Sequence, residues 1–207
     1  MYRPPVFRED SVDVMRALIH HNPFATLVVS GAGGMEAAHI PLVQAQGGDF
    51  GLLQGYVARP NPIWEIFDPG TEVLAIFQGA DHYVTPFWYP SKTEHGKVVP
   101  AWNYDAVHAY GTMRAVDDPD WLLTHLNAVT DHMESDRQLP WSVSDAPADY
   151  IEQMMRGLVE LEITISRLED KTKMSQNRNE TDRKGTSEGL RAEGTEAAAR
   201  VADRIPD

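Results

Sequence analysis

The chain has 207 residues with 18 Lys and Arg against 31 Asp and Glu, a formal net charge of −13 that is a poor match for a polyanion, whose affinity comes mainly from phosphate neutralisation. Apolar residues make up 42%, enough for a core, so a wholly disordered chain is excluded, and the length fits one domain with a tail. Cysteine is absent, which removes disulfides, thiolate metal sites and a Cys nucleophile.

Met1-Tyr2-Arg3-Pro4-Pro5 lacks the apolar stretch of a signal peptide, and no apolar run is long enough for a membrane span. The expectation is a soluble cytoplasmic protein.

In chain order, Asp10 to His21 reads as a helix, with Asp10 or Ser11 as its cap, Val12, Met15 and Ile19 at helical spacing, and Asn22-Pro23 as its stop. Phe24 to Ser30, the turn Gly31-Ala32-Gly33-Gly34 and Met35 to Val43 form a hairpin pattern. Gly47-Gly48 turns into a strand over Phe50 to Tyr56, followed by a short helix over Asn61 to Phe67 closed by Asp68-Pro69-Gly70. Glu72 to Gln78 is a buried strand. Ala80 to Trp102 reads as irregular, with Pro86, Pro90 and Pro100 and the aromatics Tyr83, Phe87, Trp88, Tyr89 and Trp102. A loop of this length in a compact domain is usually functional or interfacial.

Tyr104 to Val116 is a strand. Asp117-Asp118-Pro119 opens a helix with Leu122, Leu126, Val129 and Met133 on one face, and a second helix covers Pro147 to Met155. Leu158 to Leu168 alternates, Val159, Leu161, Ile163 and Ile165 inward against Glu160, Glu162 and Thr164 outward. Glu180 to Ala192 has a helical pattern, and the Ala-rich end suits helix or disorder. Hairpins without regular strand–helix alternation point to a mainly β fold, a small antiparallel barrel with peripheral helices. The expected division is a barrel domain over 1–170, a basic and polar segment over 171–192 and a flexible or helical tail over 193–207.

Three segments carry chemistry. Gly55-Tyr56-Val57-Ala58-Arg59-Pro60-Asn61-Pro62-Ile63-Trp64 joins a strand to a helix start, where Asn61 can cap and Arg59 stands beside orphan N–H groups, a natural phosphate site. Alternatively, Arg59 is a surface charge beside a capped helix. Residues 167–191 carry seven basic residues and five acids, which fits either a contact for one small phosphate or a solvated mixed-charge helix, but not a DNA surface. Tyr83, Trp88, Tyr89, Trp102 and Tyr104 could wall a flat ligand such as an isoalloxazine or a porphyrin, or form a dimer interface. Gly31 to Gly34 runs into a strand and reads as a turn rather than a dinucleotide loop. His125 and His132 show no metal-ligand spacing and read as solvated or capping residues. No Ser nucleophile elbow is present.

Met1-Tyr2-Arg3-Pro4, Ala38-His39-Ile40-Pro41, Ala58 to Trp64, Phe77-Gln78-Gly79, Pro86 to Lys92, Val99 to Tyr104 and Lys173 to Arg178 occur in this order, and together they resemble the PaiB-type proteins. That family is called FMN-binding negative transcriptional regulators, and the likeness covers roughly residues 1–192. The resemblance implies an antiparallel split β-barrel, similar to the pyridoxamine-phosphate-oxidase group, and a homodimer with ligand sites at the subunit interface. It implies FMN, with Tyr56, Arg59, Asn61, Trp64, Ser91, Lys92, Trp102, Asn103, Lys173, Ser175, Gln176 and Asn177 as cofactor-binding candidates and the phosphate near Arg59.

Three segments depart from the family pattern. Gly55-Tyr56 stands for Gly-His, Ala101 for Thr, and Asp170-Lys171-Thr172-Lys173 for Gly-Lys-Trp-Lys. The alternative is a haem- or flavin-dependent enzyme on the same fold, resembling piperazate synthases, with His39 and Tyr56 as candidate iron ligands. Direct nucleic-acid binding is opposed by the charge.

Overall fold

Alternating apolar runs determine the first hairpin. Phe24–Gly31 (β1) buries Ala25, Leu27 and Val29 and returns as Gly34–Pro41 (β2), paired antiparallel from Phe24 opposite Pro41 to Gly31 opposite Gly34. The computed structural model describes residues 1–67 and 70–207, so the Asp68-Pro69 turn expected above lies outside the described residues. The remaining strands are Val43–Ala45 (β3), Leu52–Ala58 (β4), Glu72–Val84 (β5), Ala101–Val116 (β6) and Leu158–Lys173 (β7). The seven form one sheet in the order β2-β1-β5-β6-β7-β4-β3. The pairs β1·β5, β3·β4 and β4·β7 are antiparallel, the last placing Tyr56 opposite Glu160. The fold is thus mainly β with helices, as expected.

Val12–His21 (α1) ends where Asn22-Pro23 was expected to stop it. Between β5 and β6 the irregular stretch is shorter than the prolines suggest. The strand continues past Gln78, its expected end, and buries Ala80 and Val84, so β5 is 13 residues long. A 3-10 turn over Pro86–Trp88 and a short helix over Ser91–His95 (α2) follow, the latter closed by Gly96 at φ 66°. The helix expected over Asn61 to Phe67 is only a 3-10 turn, Pro62–Trp64, because Asn61 Oδ1 accepts from Ile63 N at 3.0 Å and Trp64 Nε1 donates back to Arg59 O at 2.9 Å.

Pro119–Glu134 (α3) is capped by Asp118, which accepts from the N–H groups of Asp120 and Trp121. Its buried stripe is Leu122, His125 and Val129; Met133 is exposed, so the expected apolar face is rotated toward His125. Ala148–Met155 (α4) follows. On β7 the expected outward set is corrected. Glu160 and Glu162 are buried while Thr164 is exposed, since β7 buries both faces over its first half. Glu162 is compensated by Arg114 Nη2 at 2.6 Å and Gln54 Nε2 at 3.0 Å.

The C-terminal residues form two capped helices, Glu180–Ala192 (α5) under Asn179 and Glu196–Ala202 (α6) under Thr195. Met174, Leu190, Ala198, Val201 and Ala202 join Ala80 in a buried cluster, with Trp88 and Ile205 packed on it. A Cβ at Gly189 would overlap the Trp88 indole, so the glycine admits the ring against α5. Burying a side chain such as Leu190 contributes roughly 1.5–3 kcal/mol, which fixes a segment whose composition alone left it open.

Contacts divide the chain into two compact units, each assembled from separate segments. Unit one is residues 1–18, 77–108 and 169–207; unit two is residues 19–76 and 109–168. Among the described residues no helix is long and apolar enough to cross a membrane.

Candidate functional site

Eight of the candidate residues belong to unit one: Ser91, Lys92, Trp102, Asn103, Lys173, Ser175, Gln176 and Asn177. The strand end of β7 and the turn after it are tied to the start of β6. Asn103 Nδ2 donates to Ser175 Oγ at 3.0 Å, both residues being buried, and Lys173 Nζ donates to Trp102 O at 2.8 Å. Ser175 has φ 63°, a left-handed conformation that a Ser adopts rarely and that local structure must hold. Gln176 holds it: its Nε2 donates to Thr172 O and its Oε1 accepts from Met174 N, both at 2.6 Å. Ser91, buried, donates from N and Oγ to the two carboxylate oxygens of Asp182. Asn177 is exposed.

Cations gather where β7 runs into this turn. Burial and then the neighbouring charges of Lys171 and Arg178 push the Lys173 ammonium below its ordinary pKa. Arg178 lies over the Tyr89 ring at 4.6 Å, and Lys171 stands 5.4 Å from the rings of Tyr2 and Tyr104. Beside them Trp102 and Tyr83 make an edge-on aromatic corner, ring centroids 6.1 Å apart, and both are about half exposed. Trp102 is oriented by Nε1 donating to Asp81 at 2.9 Å, and Lys92 covers the exposed Phe87 ring at 4.4 Å. Three gathered cations beside open aromatic faces suit a planar ligand that ends in an anion.

Two further carboxylates of unit one are buried, and neither stands out in the sequence as a site residue. Asp105 pairs with Arg204 at 2.8 Å, yet burial still raises its pKa. Its carboxylate occupies the place a Cβ would take at Gly79, which is why the Phe77-Gln78-Gly79 segment needs a glycine there. Asp170 accepts from Thr172 Oγ1 at 3.0 Å, and burial pushes it up to about 6. The Thr172 departure therefore has a local role, hydrogen bonding to Asp170.

The other candidates, His39, Tyr56, Arg59, Asn61 and Trp64, belong to unit two. Arg59 is engaged by protein oxygens: Nε donates to Arg156 O at 3.1 Å, Nη2 to Leu158 O at 2.9 Å, and Nη2 stands 3.6 Å from Asp117. Asn61 and Trp64 are occupied in the turn already described. His39 is exposed on β2, with Nδ1 3.0 Å from Thr26 Oγ1. Tyr56 instead faces His125, ring centroids 6.0 Å apart, and His125 stacks on Trp121 at 5.4 Å. His125 is buried, not solvated or capping as expected; burial lowers its pKa to about 4, and neither ring nitrogen has a hydrogen-bond partner among the described residues. Unit two also contains a cavity of about 870 Å³ bounded by α3, α4, the start of β7 and Arg59. Sequence reading missed the buried His125 and the Glu160 on the cavity wall; the signal for His125 was its place three residues after Leu122 on the buried stripe.

A model of the family described as Putative FMN-binding domain matches residues 1–167. The chain belongs to the PaiB-type FMN-binding family. Among curated relatives, it is 30% identical over 207 residues to the protease synthase and sporulation protein PAI 2 of Bacillus subtilis, covering 100% of this chain and 97% of that one. It is 32% identical over 241 residues to an uncharacterized protein of Emericella nidulans, covering 99% and 96%. Among solved structures, an FAD and haem binding protein from Mycobacterium smegmatis superposes with TM-score 0.60 at 18% identity, covering 80% of this chain and 73% of that one. The flavocytochrome Anf3 from Azotobacter vinelandii gives 0.60 at 12% identity, covering 84% and 72%. These two likenesses establish that the PaiB-type chain has the split-barrel fold of flavin-protein structures.

Proposed function

We propose that this protein binds FMN on unit one, as a PaiB-type regulator whose effect on transcription is exerted without direct DNA contact. The observation that carries the reading is Lys173, bonded to Trp102 O and flanked by the charges of Lys171 and Arg178, beside the half-exposed Trp102–Tyr83 corner. FMN meets both requirements: a phosphate for the cations and a flat ring for the aromatics. Lys173, Arg178 and Lys171 would hold the phosphate, and Trp102 and Tyr83 would flank the ring. The bound flavin would supply reversible electron and hydride acceptance. Asn103, Ser175 and Gln176 would set the turn that presents the cations. The half-exposed aromatics support a homodimer in which a second copy covers the ring. The net charge of −13 supports a regulatory route through another protein.

The test is visible absorption of the purified chain during separate titrations with FMN and haem. A flavin band that shifts and saturates, and weakens in Lys173→Ala, supports the reading. A Soret band without flavin binding replaces it with the haem alternative. Binding of neither cofactor overturns both.

A further inference from the structure

The cavity of unit two has chemistry opposite to that of the cationic turn. At about 870 Å³ it falls within the size range of small-molecule sites. Leu122, Ile151, Met155 and Leu158 give it apolar walls. Its ionisable lining is acidic, with Asp117, Asp120, Glu152 and Glu160 against Arg59 and Arg156. Arg59 already commits Nε and Nη2 to two backbone carbonyls and faces Asp117 at 3.6 Å, so those donors are engaged within the protein.

Glu160 is the decisive residue. It lines the cavity yet is only 2% exposed, and it stands opposite Tyr56 in the β4·β7 register. Its carboxylate is hydrogen-bonded by its own backbone N–H and by no side-chain donor among the described residues. Glu162, two residues further along the same strand, shows the contrast, being paired with Arg114 and Gln54. One backbone donor leaves most of a carboxylate's acceptor capacity unused, and a charged donor there makes a strong hydrogen bond. Burial raises the Glu160 pKa and the nearby Asp117 and Asp118 reinforce the shift, while the backbone hydrogen bond and Arg59 oppose it.

We propose that this cavity binds an organic cation, an ammonium group carried on an apolar body of ring size, with the ammonium at Glu160 and the body against Leu122, Ile151 and Met155. The inference goes beyond the FMN reading and stands on residues of the other unit.

Three probes that share one apolar body test it by calorimetric titration of the full chain: naphthylmethylammonium, naphthylmethanol and naphthylacetate. The amine is expected to bind about tenfold tighter than the alcohol, as a charge-assisted contact predicts, and the acetate weakest. Glu160→Gln should bring the amine to within about threefold of the alcohol while leaving the alcohol unchanged, since it removes the charge-assisted part alone. Ile151→Trp, which fills the cavity without altering its charge, should weaken amine and alcohol alike. Circular dichroism and an FMN titration of each variant check that the fold and unit one are intact, so loss of flavin binding and loss of amine binding are separately visible. Acetate binding as tight as the amine, silence of all three probes, or an amine preference that survives Glu160→Gln would each overturn the proposal.

Discussion

The two units handle charge in opposite ways. Unit one buries Asp105 against Arg204 and Asp182 against Ser91, and gathers Lys171, Lys173 and Arg178 at the end of β7 and the turn after it. Unit two ties its Arg59 to backbone carbonyls and leaves carboxylates on the wall of an apolar cavity. An arginine beside a capped turn therefore says little about anion binding until its hydrogen bonds are known. Arg59 commits both Nε and Nη2 to protein carbonyls, whereas Lys173 gives one N–H to Trp102 O and keeps two further donors.

The largest effect should come from the core. Leu190→Ala should destabilise the protein by about 2–5 kcal/mol, read as a fall in the urea midpoint; an effect below about 0.5 kcal/mol, the surface range, would mean that α5 and α6 are accessory to unit one.

Acid should separate the units next. His125 titrates near 4 when folded and near 6.5 when unfolded, so the unfolded chain holds more protons between those values and stability falls as pH drops through that window. Asp170 titrates near 6 when folded against 3.8, so the folded chain holds more protons there and stability rises as pH drops. Each contribution reaches at most about 3 kcal/mol across its window. The difference between urea midpoints at neutral pH and near pH 4.5 should shrink in His125→Phe and grow in Asp170→Asn. Shifts of the same sign in both variants would break the contrast.

Ligand affinity provides a finer comparison. Lys173→Ala should weaken FMN about tenfold or more, the size of one lost charge-assisted hydrogen bond. Arg59→Ala should change FMN affinity by less than about threefold, since the bonds it loses are to the protein's own carbonyls. Equal losses from both substitutions would assign the phosphate jointly to the two positions. Smallest of all, Arg114→Gln should cost about 1 kcal/mol in chemical denaturation, because the arginine side of its pair with the buried Glu162 is largely solvated.

Much of this was legible from local patterns. The β1–β2 hairpin follows from alternation and its glycine turn, and the Asp118 cap of α3 from Asp-Pro spacing, because such signals act through neighbours in sequence. The ordered motifs of the PaiB-type family carried the fold class. Long-range packing decided the rest. Glu160 reads as outward by alternation, but β7 buries both faces there. Arg59 reads as a phosphate contact or a surface charge, but its partners Arg156 and Leu158 lie about a hundred residues away in sequence. The C-terminal tail reads as helix or disorder until Val201 and Leu190 share a core. Sequence determined where strands and caps begin, since backbone preference is local. Tertiary structure decided which charges are satisfied and which remain for a ligand, since burial and hydrogen-bond partners depend on residues that only folding brings together.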